Sequence, residues 1–140
     1  MTKETVGIVG VGIMGGAMAK NLRLAGFPVV AFDVSADALR RIEALGGSAA
    51  GSPAEVARSA RVVITSLPTE AALRAALGGP DGIVASTGNP IVIEMSTMRL
   101  EIKEQLRALL AAAGKTLLDC PVSGTGAQRS EERRVGKECA

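Results

Sequence analysis

The sequence predicts a doubly wound α/β fold built on a mostly parallel sheet, and three observations carry that prediction. Short runs rich in β-branched residues recur along the chain, segments of Ala, Leu and Arg at helical spacing lie between them, and a glycine-rich turn joins the first run to the first helical segment. Strands that alternate with helices need crossover connections, which give a parallel sheet covered on both faces. At 140 residues, 47% of them hydrophobic, the chain is long enough for one domain with a real core and too apolar to remain disordered.

The elements follow in order. The runs TVGIV at 5–9, PVVAFD at 28–33, RVVITSL at 61–67, PIVIEM at 90–95 and KTLLDC at 115–120 read as strands. They are apolar almost throughout, as strands buried on both faces are. GSAA at 47–50 is a weak additional strand. Helices are predicted at 13–25, 36–45, 53–59, 69–77 and 98–113. Gly26 and Gly46 stand where a helix ends in a left-handed residue, and the run SPAE beginning at Ser52 combines a capping serine, a proline at the first helical position and a glutamate three residues after the cap.

Charge and composition exclude several functions. A formal net charge of +2 exerts no pull toward nucleic acid or an anionic membrane. No apolar run approaches the ~18 residues of a membrane span. The opening MTKETVGIVGVG has glycines inside its apolar run and no small-residue cleavage site after it, so a cytoplasmic location is expected. Two cysteines, Cys120 and Cys139, provide neither a disulfide framework nor metal-ligand spacing, and the chain has no histidine. No metal is expected.

The most informative motif is Gly10-Val11-Gly12-Ile13-Met14-Gly15, a G-x-G-x-x-G pattern that follows a strand and opens a helix. Gly10 permits the tight turn, Gly12 lets a pyrophosphate approach the backbone, and Gly15 lets the helix lie close to the sheet. The phosphates would sit on unpaired N–H groups at the positive end of the helix dipole. Asp33 ends the second strand 18 positions past Gly15, near the ~20 expected for a carboxylate on the adenosine ribose. It would repel a 2′-phosphate, and no arginine follows it in DVSAD, so NAD is favoured over NADP. The pattern is that of a Rossmann-type dinucleotide domain, here expected over 1–128.

Four stretches, GIVGVGIMGGAMAKNL, VVITSLPT, IVIEMST and LLDCPVSGTGA, together resemble the β-hydroxyacid dehydrogenase family, which includes 3-hydroxyisobutyrate and 6-phosphogluconate dehydrogenases. The resemblance implies that the glycine-rich turn, with Met14, holds the dinucleotide. It implies further that Leu67 and Pro68 flank its adenosine and ribose, that Thr97 contacts the nicotinamide half, and that Ser123, Gly124 and Thr125 form a loop for a small hydroxyacid. Leu67, Thr97 and Ser123 all lie just past predicted strand ends, the edge where such sheets bind ligands. Thr97 can equally cap the following helix. In the family a lysine on a later helix takes the substrate proton, within a helical second domain that also makes homo-oligomer contacts. This sequence contains no such lysine, so no catalytic residue is assigned within it and the chain alone is expected to be inactive.

From Arg129 onward the pattern changes to mixed charge without period, and RSEERRVGKEC at 129–139 resembles an in-frame translation of a sequencing-library adapter. Residues 129–140 are therefore expected to be a non-native tail. Two other readings stand beside the dehydrogenase domain. One is an NAD-sensing module without chemistry, which would have no need of the loop DCPVSGTG. The other is a fragment of an NADP-dependent imine reductase, expected to lack Asp33.

Overall fold

The computed structural model describes residues 3–122. Six strands, β1 (Val6–Val9), β2 (Val29–Phe32), β3 (Ser48–Ala49), β4 (Val62–Thr65), β5 (Ile91–Glu94) and β6 (Thr116–Asp119), form one sheet in the order β3-β2-β1-β4-β5-β6. Every pairing is parallel. Five helices connect them: α1 (Ile13–Leu24), α2 (Ala36–Ala44), α3 (Pro53–Ser59), α4 (Glu70–Gly78) and α5 (Leu100–Ala112). The predicted Rossmann-type architecture is therefore present, with the weak strand at 47–50 reduced to two residues. Ser123, Gly124, Thr125 and the tail lie outside the described residues.

Alternation along each strand feeds two cores. Ile8, Ala31 and Ile64 face one side and pack with Met18 and Ala19 of α1 and Ala38 and Ile42 of α2. Their neighbours Val9, Val30 and Val63 face the other side, with Val92 and Leu117, against Val56 of α3, Leu73 and Leu77 of α4, and Leu106 and Leu110 of α5. A short 3₁₀ turn at Ile83–Ala85 drives the fully buried Ile83 into this second core. The sequence carries no periodic signal for that turn. On the α1–α2 side no described helix covers β5 and β6, and Ile91 and Leu118 are 44% and 45% exposed.

Helix ends follow local chemistry. Ser35, Ser52 and Thr69 cap α2, α3 and α4 by accepting backbone N–H groups of Ala38, Glu55 and Ala72. Glu55 reaches back as the SPAE pattern implies, but its Oε2 accepts the N–H of Gly51, one residue before the cap, at 2.9 Å. Gly26 and Gly46 take the left-handed conformation expected of them, at φ +93° and +87°. Helix α5 begins at Leu100 with Arg99 as its cap residue, two residues later than its periodicity suggests. No helix among the described residues is long and apolar enough to cross a membrane.

Gly7, in the central strand, lets α3 lie against the sheet: a Cβ there would come within 2.5 Å of Val56 Cγ1 and 3.1 Å of Val63 Cγ2. Val56 is fully buried and β-branched, so it has no room to turn away. Gly7→Ala is expected to cost about 1–3 kcal/mol through overpacking, read as a lowered urea midpoint. An unchanged midpoint would mean that α3 can lift off β1 freely.

Candidate dinucleotide site

The β1–α1 turn is shaped by three glycines, each for a different reason. Gly10 has φ +94°, and a Cβ on it would lie 2.1 Å from the Ser66 carbonyl oxygen. A Cβ on Gly15 would lie 1.9 Å from the Gly10 carbonyl oxygen, so Gly15 lets the first turn of α1 fold back onto the loop before it. Gly12 is different: its φ is −71°, and a Cβ there would meet nothing within 4 Å. No neighbouring atom of the protein excludes a side chain at that position, which opens onto a cleft.

That cleft has a volume of about 700 Å³ and lies at the carboxyl ends of β1, β2 and β4. Gly10, Gly12, Ile13, Met14 and Gly15 form one wall, with Asp33 beside them and Leu67 and Pro68 facing them. Ala72, Ala75 and Ala76 of α4 keep it open with small side chains, and Gly79, Pro80 and Asp81 close its end. Ile13 and Val34, both on the lining, are 81% and 94% exposed. Such apolar surface at a cleft rim suits a ligand that covers it.

Electrostatics single out α1. Helices α2, α3 and α4 each have a hydroxyl cap and an acidic residue in the first turn, namely Asp37, Glu55 and Glu70. Helix α1 has neither: its cap residue is Gly12 and its first turn holds no carboxylate. Its positive end therefore faces the cleft without a side-chain acceptor, as an anion site requires. A pyrophosphate fits these residues.

Asp33 does more than the sequence indicates. Its Oδ2 accepts the Val11 N–H at 2.8 Å and its Oδ1 accepts the Ser35 N–H at 2.8 Å, so it ties the glycine-rich turn to the β2–α2 connection. A carboxylate has further lone pairs, which leaves Asp33 able to accept a ribose hydroxyl. Val11 has its amide engaged by Asp33 and its side chain buried, so it shapes the turn while Gly12–Gly15 present it.

The other predicted residues divide. Thr97 is exposed and does not line the cleft; its Oγ1 lies 3.5 Å from the Val122 carbonyl oxygen. Arg99, not Thr97, is the cap residue of α5. Ser123, Gly124 and Thr125 would continue directly from Val122, outside the described residues. Among the described residues, no group of three or more His, Cys, Asp or Glu side chains could hold a metal ion.

The sequence reading passed over Glu94 and Lys103. Glu94 is fully buried at the end of β5 and Lys103 is 3% exposed on α5. Lys103 Nζ lies 3.0 Å from Glu94 Oε2, 2.6 Å from Asp119 Oδ1 and 2.5 Å from the Ser96 carbonyl oxygen. Glu94 Oε1 in turn accepts the Thr65 hydroxyl at 3.1 Å and the Ser96 N–H at 2.9 Å, and Ser96 Oγ accepts the Leu67 N–H at 2.8 Å. Two signals were available: a single carboxylate in the apolar strand IVIEM, and a lysine spaced with the inward-facing Leu106 and Leu110.

Burial pushes the Lys103 pKa down, but hydrogen bonds to Asp119 and Glu94, with their charges, outweigh it and leave the pKa above its ordinary value. Because the folded value is the higher one, this stabilisation is complete below the ordinary lysine pKa of 10.5 and is lost as pH rises through the folded value. Unfolding free energy should accordingly fall above that pH in a chain with no tyrosine to titrate alongside. Lys103→Met should abolish that alkaline fall and, by leaving Glu94 buried without its cation, cost about 3–5 kcal/mol at neutral pH. Urea titrations across the alkaline range check both; an unchanged alkaline limb in the variant would contradict the assignment.

Comparison with known proteins agrees with this geometry. Residues 5–133 match the family described as the NAD binding domain of 6-phosphogluconate dehydrogenase. Over 131 residues the chain is 37% identical to mitochondrial 3-hydroxyisobutyrate dehydrogenase of Homo sapiens, covering 92% of this chain and 39% of that enzyme. The structure of Mycobacterium tuberculosis 3-hydroxyisobutyrate dehydrogenase with L-serine is similar at TM-score 0.81 and 33% identity, over 89% of this chain and 42% of that one. Psf3 in complex with NADP+ and 2-OPP is similar at TM-score 0.81 and 30% identity, over 87% and 44%. The chain spans about two fifths of the length of the relatives it matches. With an uncapped helix, a Cβ-free turn and a carboxylate all at one cleft, the chain belongs to the family of NAD-binding domains typified by 6-phosphogluconate dehydrogenase, and its similarity extends to the 3-hydroxyisobutyrate dehydrogenases.

Proposed function

We propose that the chain binds NAD in preference to NADP and forms the dinucleotide-binding part of an oxidoreductase that moves hydride between the nicotinamide and a small β-hydroxyacid. The observation that carries this reading is the opening of Gly12 and the uncapped α1 onto a cleft whose rim holds Asp33. The amides at the start of α1 hold the pyrophosphate, Asp33 accepts the adenosine ribose hydroxyls and repels a 2′-phosphate, and Leu67 and Pro68 flank the adenosine. Thr97 stands on the nicotinamide side. Ser123, Gly124 and Thr125 offer a hydroxyl and backbone donors to the substrate carboxylate. When bound, the nicotinamide supplies the hydride acceptor or donor.

Oxidation of an alcohol also needs a group that takes the hydroxyl proton, a contribution of about 10²–10⁴ in rate. The charged residues on the described cleft lining are Asp33 and Asp81, and in this reading both lie on the adenosine side. As the family resemblance implies, the acceptor is a lysine on a helix of a second domain, which would also pair subunits into a homo-oligomer. A small metabolite enzyme of this kind, with no role for nucleic acid or membrane, fits a cytoplasmic location.

Calorimetric titration with the two cofactors tests the preference. NAD should bind about tenfold tighter than NADP or better, and Asp33→Ala should narrow that gap while weakening both, because the Val11 N–H loses its acceptor as well. Equal or tighter binding of NADP would overturn the assignment. Incubated with NAD and 3-hydroxyisobutyrate, glycerate, threonate or 6-phosphogluconate, the purified chain should form no NADH above background. Robust turnover would place the proton acceptor within this sequence.

A further inference from the structure

The Glu94–Lys103–Asp119 cluster is an expensive way to fill a core, since apolar side chains of similar volume usually serve stability as well or better. Its location explains what else it does. Its carboxylates sit at the carboxyl ends of β5 and β6, and the Lys103 ammonium donates to the Ser96 carbonyl and to Asp119 while pairing with Glu94 Oε2 as an ion pair at 3.0 Å without hydrogen-bond geometry. Through Glu94 the cluster holds Thr65 and the Ser96 amide, and through Ser96 it holds Leu67. Thr97 follows Ser96 directly, and Val122, which approaches the Thr97 hydroxyl, follows Asp119 by three residues. The glycine-rich turn and Asp33 have no direct bond to the cluster: Asp33 bonds to Val11 and Ser35, and the turn closes on Ser66.

We propose that Lys103 is a positioning residue for the nicotinamide side of the site, fixing Thr97 and the 119–122 segment against the ends of β4 and β5 without itself touching the cofactor. This rests on the dinucleotide reading above. Displacing one half of a bipartite site should weaken a ligand that spans both halves and spare one confined to the other half.

The test compares ADP-ribose, which lacks the nicotinamide, with NADH on the full chain, its Lys103→Met variant and the Glu94→Gln/Lys103→Met double variant. The double variant leaves no fully buried unpaired charge, which keeps the comparison possible if Lys103→Met does not fold. Calorimetry gives both Kd values, and the emission of the bound reduced nicotinamide reports its surroundings in a chain without tryptophan or tyrosine. The variants should weaken NADH about tenfold, with its emission moving toward that of free NADH, and weaken ADP-ribose, whose half of the site the cluster reaches only through Ser96 and Leu67, distinctly less. Equal weakening of both ligands, or NADH affinity and emission unchanged, would reduce Lys103 to a structural role and overturn the proposal. Failure of the parent chain to bind ADP-ribose would instead overturn the dinucleotide reading, and the proposal with it.

Discussion

The close approach of the Gly10 turn to the backbone of Ser66 is the contact on which the arrangement depends. Strand β1 lies at the middle of the sheet between β2 and β4, and where the chain crosses from it into α1 the Gly10 backbone passes against Ser66, just beyond the end of β4. The crossing is held by the Ser66 N–H on the Val9 carbonyl and by the Gly10 N–H on the Phe32 carbonyl, 3.0 and 2.9 Å long. Any side chain at Gly10 would push the turn off Ser66, at a φ that L residues rarely adopt. With the turn seated, α1 covers one face and its N-terminus is left at the point where the strand order reverses from β3-β2-β1 to β4-β5-β6. Ligands bind doubly wound sheets at such a reversal.

Most of the fold was legible because it rests on local patterns. Continuous apolar runs and helical spacing need only neighbours in sequence, and so do the cap at Ser52 and the left-handed Gly26 and Gly46. The wall of the cleft around α1 was legible for the same reason: Gly10, Gly12, Gly15 and Asp33 belong to one strand-turn-helix-strand unit with a known spacing. What stayed hidden depends on long-range register. Glu94 and Lys103 meet only because β5 and α5 pack on each other, and nothing local distinguishes a buried lysine from a solvated one on an amphipathic helix. The need for Gly7 likewise comes from Val56 of α3, far from it in sequence. Thr97 read as a possible cap because the true start of α5 is set by tertiary placement, not by propensity.

The two sides of the site are thus built by different physics. Around α1 the protein withholds groups: no Cβ at Gly12, no hydroxyl cap, no carboxylate in the first turn. Around β5 and β6 it adds them, in a cluster where one ammonium is shared by two carboxylates and whose bonds reach three strand ends. Withholding creates an attractive, unfilled place for an anion; adding creates stiffness. The proposed hydride transfer would need both, since such a reaction depends on the reacting atoms being held in a narrow range of geometry.

Gly12 offers the most direct measurement, because there alone among the three motif glycines no neighbouring atom of the protein occupies the place of a side chain. Gly12→Ala introduces one methyl group at φ −71°, into space with no atom within 4 Å. If the cleft holds a dinucleotide, the variant should keep a cooperative urea transition, yet lose NAD affinity by about tenfold or more. Unchanged NAD affinity in a stably folded Gly12→Ala protein would contradict the account, since the pyrophosphate would then not be lying against the turn.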